Sequence, residues 1–245
     1  MNYRLLTLFA LSFLFLNFTA VSHSTGVEGD KKGTDPKLLA AKLKLSLEVK
    51  CKSFYEDIES NKYSLPNFES FLKAFEGYNS LKEQGVIEKE YLTIVDFSLS
   101  ANEERMWVID MTTKEVVLRS LVAHGRNSGD VFANDFSNRS ESYQSSLGFY
   151  ATGETYIGKH GLSLRLDGLE YGINDKARDR AVVIHGAEYV SEDFIKSNGR
   201  LGRSLGCPAV PNEISAELIE LIKDKSCLFI YHPSRSYIRK SKLAS

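Results

Sequence analysis

The pattern of apolar and polar positions divides the chain into four parts. Residues 5–20 are almost continuously apolar, broken by Thr7, Ser12, Asn17 and Thr19 and preceded by Arg4. A positive start, a short apolar run and the small-x-small site Ala20-Val21-Ser22 have the form of an export leader, with cleavage expected near Ser22. The run is short for a bilayer span of about 20 residues, although a retained anchor stays as the alternative. Residues 24–36, rich in Gly, Lys, Asp and Thr, read as a tether.

Two helices are expected next. Leu38, Leu39, Leu43, Leu45 and Leu47 punctuate a helical stretch over 37–52. Phe68, Phe71, Leu72, Phe75, Tyr78 and Leu81 recur at three- and four-residue steps over 67–84. Pro66 and Asn67 start that second helix and Gly85 stops it. Its aromatic face is most simply explained by packing on the body of the protein.

From Tyr91 the period changes. β-Branched and aromatic runs predict strands over 91–98, 105–111, 115–123, 147–152, 162–166, 181–184 and 227–231. Short strands separated by turns point to an antiparallel β architecture rather than β-α units. One more helix is expected over 213–223, with Ile214, Leu218, Leu221 and Ile222 on its apolar side. The polar stretch from His124 to Gly148 is long for a loop in a compact domain, which marks it as functional or disordered. The resulting boundaries are a leader over 1–22, a tether and helical segment over 23–88, a β domain over 89–238 and a basic, solvated tail over 239–245.

Composition narrows the chemistry. With 42% hydrophobic and 26% charged residues the chain is ordinary globular protein, and its formal net charge of −1 offers no basic field for nucleic acid. Three cysteines in an exported chain leave at least one thiol free. Cys227 falls in a buried strand and reads as a small core hydrophobe. A Cys51–Cys227 disulfide stays open. Cys207 differs, because Gly206 and Pro208 frame it in a bent, specified loop.

His185 precedes Cys207 by 22 positions and closes the apolar run Ala181-Val182-Val183-Ile184. A strand-held imidazole and a loop-held thiol are a base and a nucleophile. Gly186 allows close approach, and its carbonyl is placed to orient the imidazole through the second ring nitrogen. Backbone N–H groups of Leu205, Gly206 and Cys207 are candidates for stabilising an oxyanion. Ser204 reads as a turn or active-site hydrogen-bonder. A zinc site from His124, His160, His185 and Cys207 is the rival reading; the ligand types suit it, but the tight ligand spacing of such sites is missing.

His185-Gly186 followed by Ser204-Leu205-Gly206-Cys207 resembles the signature of the L,D-transpeptidase (YkuD-type) catalytic domain. More closely, the chain resembles the murein L,D-transpeptidase catalytic domain-like family. That likeness runs through His124 to Gly129, Phe136-Ser137-Asn138, Ser145 to Tyr150, Gly153 to Tyr156, Ser163 to Glu170, Ala177 to Arg180 and Gly202 to Pro211.

The resemblance implies a mainly β, YkuD-like β-sandwich catalytic domain. It carries an N-terminal helical segment and a helix after the catalytic loop. It also implies a periplasmic or cell-wall enzyme with no metal and no organic cofactor, acting on peptidoglycan stem peptides through a thioester on Cys207. An amine acceptor makes a 3→3 cross-link; water makes a carboxypeptidase or endopeptidase; a non-catalytic cell-wall-binding module is a third reading. The common signature carries a histidine before the Gly-Cys pair and an Arg or Asn two places after it, where this chain has Leu205 and Ala209. Substrate contacts are therefore expected from Arg203, Arg180, Arg165, His160 and Tyr156. Arg165 and Asp167 are alternatively an internal ion pair.

Overall fold

The computed structural model describes residues 35–244. The expected leader, and most of the tether, lie outside the described residues. Among those described, no helix is long and apolar enough to cross a membrane.

Helix α1 (Pro36–Glu56) begins at Asp35, whose carboxylate accepts the Lys37 N–H. Its leucines do not all serve the core. Leu38, Leu39, Leu43 and Leu45 are exposed, whereas Cys51 is buried and Leu47, Phe54 and Tyr55 pack inward. The leucine spacing was a helix signal without being a burial signal. Helix α2 (Phe68–Glu83) is capped by Asn67 and buries Phe71, Ala74, Phe75, Tyr78 and Leu81. Its aromatic stripe is thus core, joined to α1 by the tilted Phe54–Phe75 pair at 5.3 Å.

Eight strands follow: β1 (Tyr91–Asp96), β2 (Met106–Asp110), β3 (Glu115–Ser120), β4 (Gly148–Gly158), β5 (Gly161–Gly168), β6 (Val183–Gly186), β7 (Ala209–Val210) and β8 (Cys227–Tyr231). They form one sheet in the order β3-β2-β1-β8-β4-β5-β6-β7. The stretch leaving β3 meets β7 through the Ala123–Ala209 bridge, so the two ends of that order are brought together. The expected mainly β domain is therefore a single sheet folded back on itself, around a core that includes Trp107, Phe149, Tyr150 and Phe229.

The expectation of an antiparallel architecture needs correction. β1 pairs with β8 and β6 pairs with β7 in parallel. The chain separating the partners is long enough for a crossover in each case, and helix α4 (Asn212–Ile222) lies between β7 and β8.

The other differences have local causes. β6 starts at Val183 rather than Ala181 because Ala181 sits at φ +54°, where extended pairing is lost. Helix α3 (Glu192–Asn198) and the two-residue β7 are too short for a periodic signal. The stretch from 239, expected as a solvated tail, is partly docked. Helix α5 (Arg235–Lys240) buries Tyr237, and Ser241 and Ala244 are buried beyond it. The buried carboxylate of Glu170 accepts hydrogen bonds from the Tyr237 and Ser241 hydroxyls and from the Phe149 N–H, which supplies the polar anchor for that docking.

Candidate active site

His185 and Cys207 arrive by different routes at neighbouring places. His185 lies on β6, where Ser163 of β5 and Ala209 of β7 flank it in register. Cys207 sits two residues before Ala209, at the mouth of β7. Its sulfur lies by the Val183 N–H and the Ala181 carbonyl, near the start of β6. Val183 and His185 share a face of β6, because alternate strand residues point the same way. The opposite face carries the buried Ile184, and Gly186 beside α4. A side chain at Gly186 would meet Asn212 Oδ1 at 2.5 Å and Ser215 Oγ at 2.8 Å, so only glycine fits there.

His185 is almost fully buried, and its Nδ1 lies 2.8 Å from the Gly186 carbonyl oxygen. That contact requires the proton on Nδ1 and leaves Nε2 as the basic nitrogen. The His160 ring stacks on it, with centroids 4.2 Å apart and planes 18° from parallel. Burial pulls the His185 pKa below its ordinary value, and the neighbouring His160 and Lys159 pull the same way against the Gly186 hydrogen bond.

Cys207 is a free, partly buried thiol. Its Sγ donates to the Ala181 carbonyl at 3.7 Å, and that carbonyl belongs to the residue in the left-handed conformation. Burial raises the thiol pKa, opposed by the Val183 N–H and by the positive charges of Arg180 and Lys159. Both shifts favour uncharged forms. No hydrogen bond joins Cys207 to His185 directly among the described residues.

The loop before Cys207 is held group by group. The Ser204 N–H donates to the His124 carbonyl and the Ser204 carbonyl accepts the Arg126 N–H. Its hydroxyl donates to the Cys207 carbonyl at 2.6 Å and accepts the Gly206 N–H at 3.0 Å. Ser204 is a turn-former committed to the backbone. Leu205 is 53% exposed beside the thiol, whereas Ala209 is wholly buried in β7.

The three arginines expected to meet substrate each have protein partners. Arg203 donates to the Gly129 carbonyl at 3.0 Å and pairs with Asp130 at 3.1 Å. Arg180 donates to the Ser137 and Gln144 carbonyls and to Ser146 Oγ, clamping the 137–146 stretch next to Cys207. Arg165 pairs with Glu154 at 3.0 Å and lies over the Tyr156 ring. The alternative Arg165–Asp167 pair is replaced by another, since Asp167 accepts from Arg178.

The four candidate zinc ligands are not gathered. His124 is wholly buried, between Arg105 and the Gly129 carbonyl. Among the described residues no group of three or more His, Cys, Asp and Glu side chains could hold a metal ion. Cys51 and Cys227 are both buried and unpaired, so the disulfide left open by the sequence is not formed. Sequence reasoning missed Ala181, whose carbonyl receives the thiol, and gave no role to Ser145. The signal for Ser145 was present in the Ser-Ser-Leu-Gly stretch, but its partner at Gly206 is 61 residues away.

The site thus holds a half-buried thiol in the loop before β7 and an oriented imidazole on β6 of a folded β sheet. The model of the L,D-transpeptidase catalytic domain family matches residues 62–231, and the chain belongs to that family. Solved structures similar to it include an L,D-transpeptidase from Mycobacterium smegmatis, 13% identical with a TM-score of 0.36, covering 58% of this chain and 59% of that one. A mutant L,D-transpeptidase of Enterococcus faecium is 16% identical with a TM-score of 0.34, covering 59% and 50%. One from Stackebrandtia nassauensis is 12% identical with a TM-score of 0.35, covering 78% of each chain. The chain spans about three fifths of the first of these, and the family assignment rests on the family model. The search of curated proteins found no match.

Proposed function

We propose that this protein is an exported peptidoglycan L,D-transpeptidase working through a thioester on Cys207. The observation that supports the reading is that Cys207 precedes by two residues Ala209, the β7 partner of His185, while Nδ1 of His185 is engaged by Gly186 and Nε2 is left basic.

In the proposed reaction the thiol swings from the Ala181 carbonyl and gives its proton to His185 Nε2. The sulfur attacks the carbonyl carbon at the L-centre of meso-diaminopimelate in a tetrapeptide stem. A C–S bond forms and the carbonyl π electrons move to oxygen. The tetrahedral species then collapses, the C–N bond breaks, and the terminal D-Ala leaves with the proton from His185. An amine of a second stem attacks the thioester, loses a proton to His185 and displaces Cys207 to give a 3→3 cross-link. His185 acts here as a general base on the thiol, in keeping with burial acting on both groups against their charged forms. Water in place of the amine would turn the same acyl-enzyme into a peptidase.

The test is intact mass after incubation with a carbapenem and, separately, product analysis with tetrapeptide muropeptides. Wild type is expected to gain one covalent adduct at Cys207 and to release cross-linked dimers. Cys207→Ala is expected to lose both, a drop of about 10³-fold or more. Trimmed stems without dimers would move the assignment to the peptidase. Stem processing by Cys207→Ala at the wild-type rate would sink the cysteine mechanism altogether.

A further inference from the structure

The acyl-transfer reading needs a donor for the oxyanion, and the structure carries a device for aiming one. The Cys207 N–H donates to no protein group among the described residues. Its direction is set by the peptide plane it shares with the Gly206 carbonyl, because C=O and N–H point opposite ways across a trans peptide. The Gly206 carbonyl accepts the Ser145 hydroxyl at 3.3 Å. Ser145 Oγ in turn accepts the Gly125 N–H at 3.0 Å, so its own proton is left for Gly206. The Ser145 N–H donates to Ser128 Oγ at 2.9 Å and its carbonyl accepts the Ser137 N–H. Ser128 and Ser145 are both essentially inaccessible to solvent.

Gly206 makes this pin necessary. It sits at φ +123°, and a Cβ there would meet the Gln144 carbonyl oxygen at 2.9 Å. Only glycine fits, yet glycine is also the residue whose flanking peptides rotate most freely. Without a partner for the Gly206 carbonyl, the Gly206–Cys207 peptide turns away from one fixed orientation. Ser204 leaves that plane untouched, because its hydroxyl meets the Gly206 N–H and the Cys207 carbonyl.

We propose that Ser145 is a positioning residue for acyl transfer, its buried hydroxyl holding the Gly206 carbonyl so that the Cys207 N–H faces the developing oxyanion. This rests on the cysteine acyl-transfer reading above. Two reagents separate the effects. Carbapenem acylation passes through an oxyanion, whereas iodoacetamide alkylates sulfur by direct displacement and needs none.

In Ser145→Ala, carbapenem acylation is expected to slow about tenfold or more, within the range for weakening one oxyanion donor. Alkylation at Cys207, followed by peptide mass, is expected to stay near wild type, while the thermal midpoint falls by only a few degrees as the Gly125 N–H and the Gly206 carbonyl lose a partner. Ser145→Thr, which keeps the hydroxyl, is expected to recover most of the acylation rate. Equal slowing of both reagents, or acylation of Ser145→Ala at the wild-type rate, overturns the role of Ser145. Absence of any adduct on the wild-type protein overturns the acyl-transfer reading itself.

Discussion

Three histidines in this chain are each followed by glycine, and the structure gives the first and the last of them opposite characters. His124-Gly125 lies where the long loop leaves β3, and His185-Gly186 closes β6. At His124 both ring nitrogens are spent. Nδ1 accepts from the wholly buried Arg105 at 2.8 Å, and Nε2–H faces the Gly129 carbonyl at 3.4 Å. Burial and the Arg105 charge push its pKa down to about 4, so it stays neutral and does no proton chemistry near pH 7. At His185 the tautomer is reversed, with Nδ1 engaged and Nε2 basic. One histidine is a strut for the loop that supports Ser204. The other is the base of the proposed reaction. Which nitrogen the surroundings occupy decides between the two roles, and the dipeptide does not.

The strut is the place to strike hardest. Arg105 also donates to the Leu99 and Val122 carbonyls and lies over the Phe97 ring. Arg105→Met leaves those acceptors and His124 Nδ1 without donors in a dry interior. Denaturant unfolding is expected to show a loss of about 3 kcal/mol. An unchanged midpoint would mean that His124 needs no support.

A smaller effect is expected at His185. His160 covers His185 and adds repulsion, and both effects hold the His185 pKa below its ordinary value. His185 accepts the thiol proton only when neutral, so acylation falls as pH drops through its pKa. Removing the cover moves that pKa upward. The carbapenem acylation profile of His160→Ala is therefore expected to shift toward higher pH. Its rate should fall severalfold near pH 6, since one pKa unit is a factor of about ten, and change little near pH 8. A profile identical to wild type would show that the stacked ring does nothing to the base.

The smallest effect belongs to the exposed ion pairs of the β4–β5 hairpin. Arg178 joins Glu154 at 2.8 Å and also pairs with Asp167, yet all three side chains are well solvated. The Glu154 pKa is drawn down to about 2, but water screens the pair, so that shift is no measure of stability. Arg178→Gln is expected to cost less than about 1 kcal/mol in the same unfolding assay. A loss as large as that of Arg105→Met would erase the contrast between buried strut and solvated brace.

Much of the domain was legible from local pattern. The α2 stripe, the strand runs and the two chemical residues stand out because period, turn chemistry and a framed cysteine are properties of short stretches. The long loop was visible as a loop, but its purpose was not. Ser145, Ser128 and Arg180 act on groups brought near by the sheet, and no spacing encodes a hydrogen bond between Ser145 and Gly206. The sequence offers the three arginines as substrate contacts, with an internal ion pair as the alternative for Arg165, because it cannot show which carbonyls and carboxylates already occupy them. The exposed leucines of α1 make the same point from the apolar side.

By itself, then, the sequence determined a helical segment ahead of a β domain, a cysteine that needed a reason, and a histidine able to serve it. Each follows from residue type and near neighbours, where sterics and solvation act over a few bonds. Only the tertiary structure decided which ring nitrogens are occupied at His124 and at His185, that β6 and β7 run parallel beside each other, and that a buried serine bonds the Gly206 carbonyl next to Cys207. Those outcomes depend on which groups are excluded from water together, and that is settled when the sheet closes.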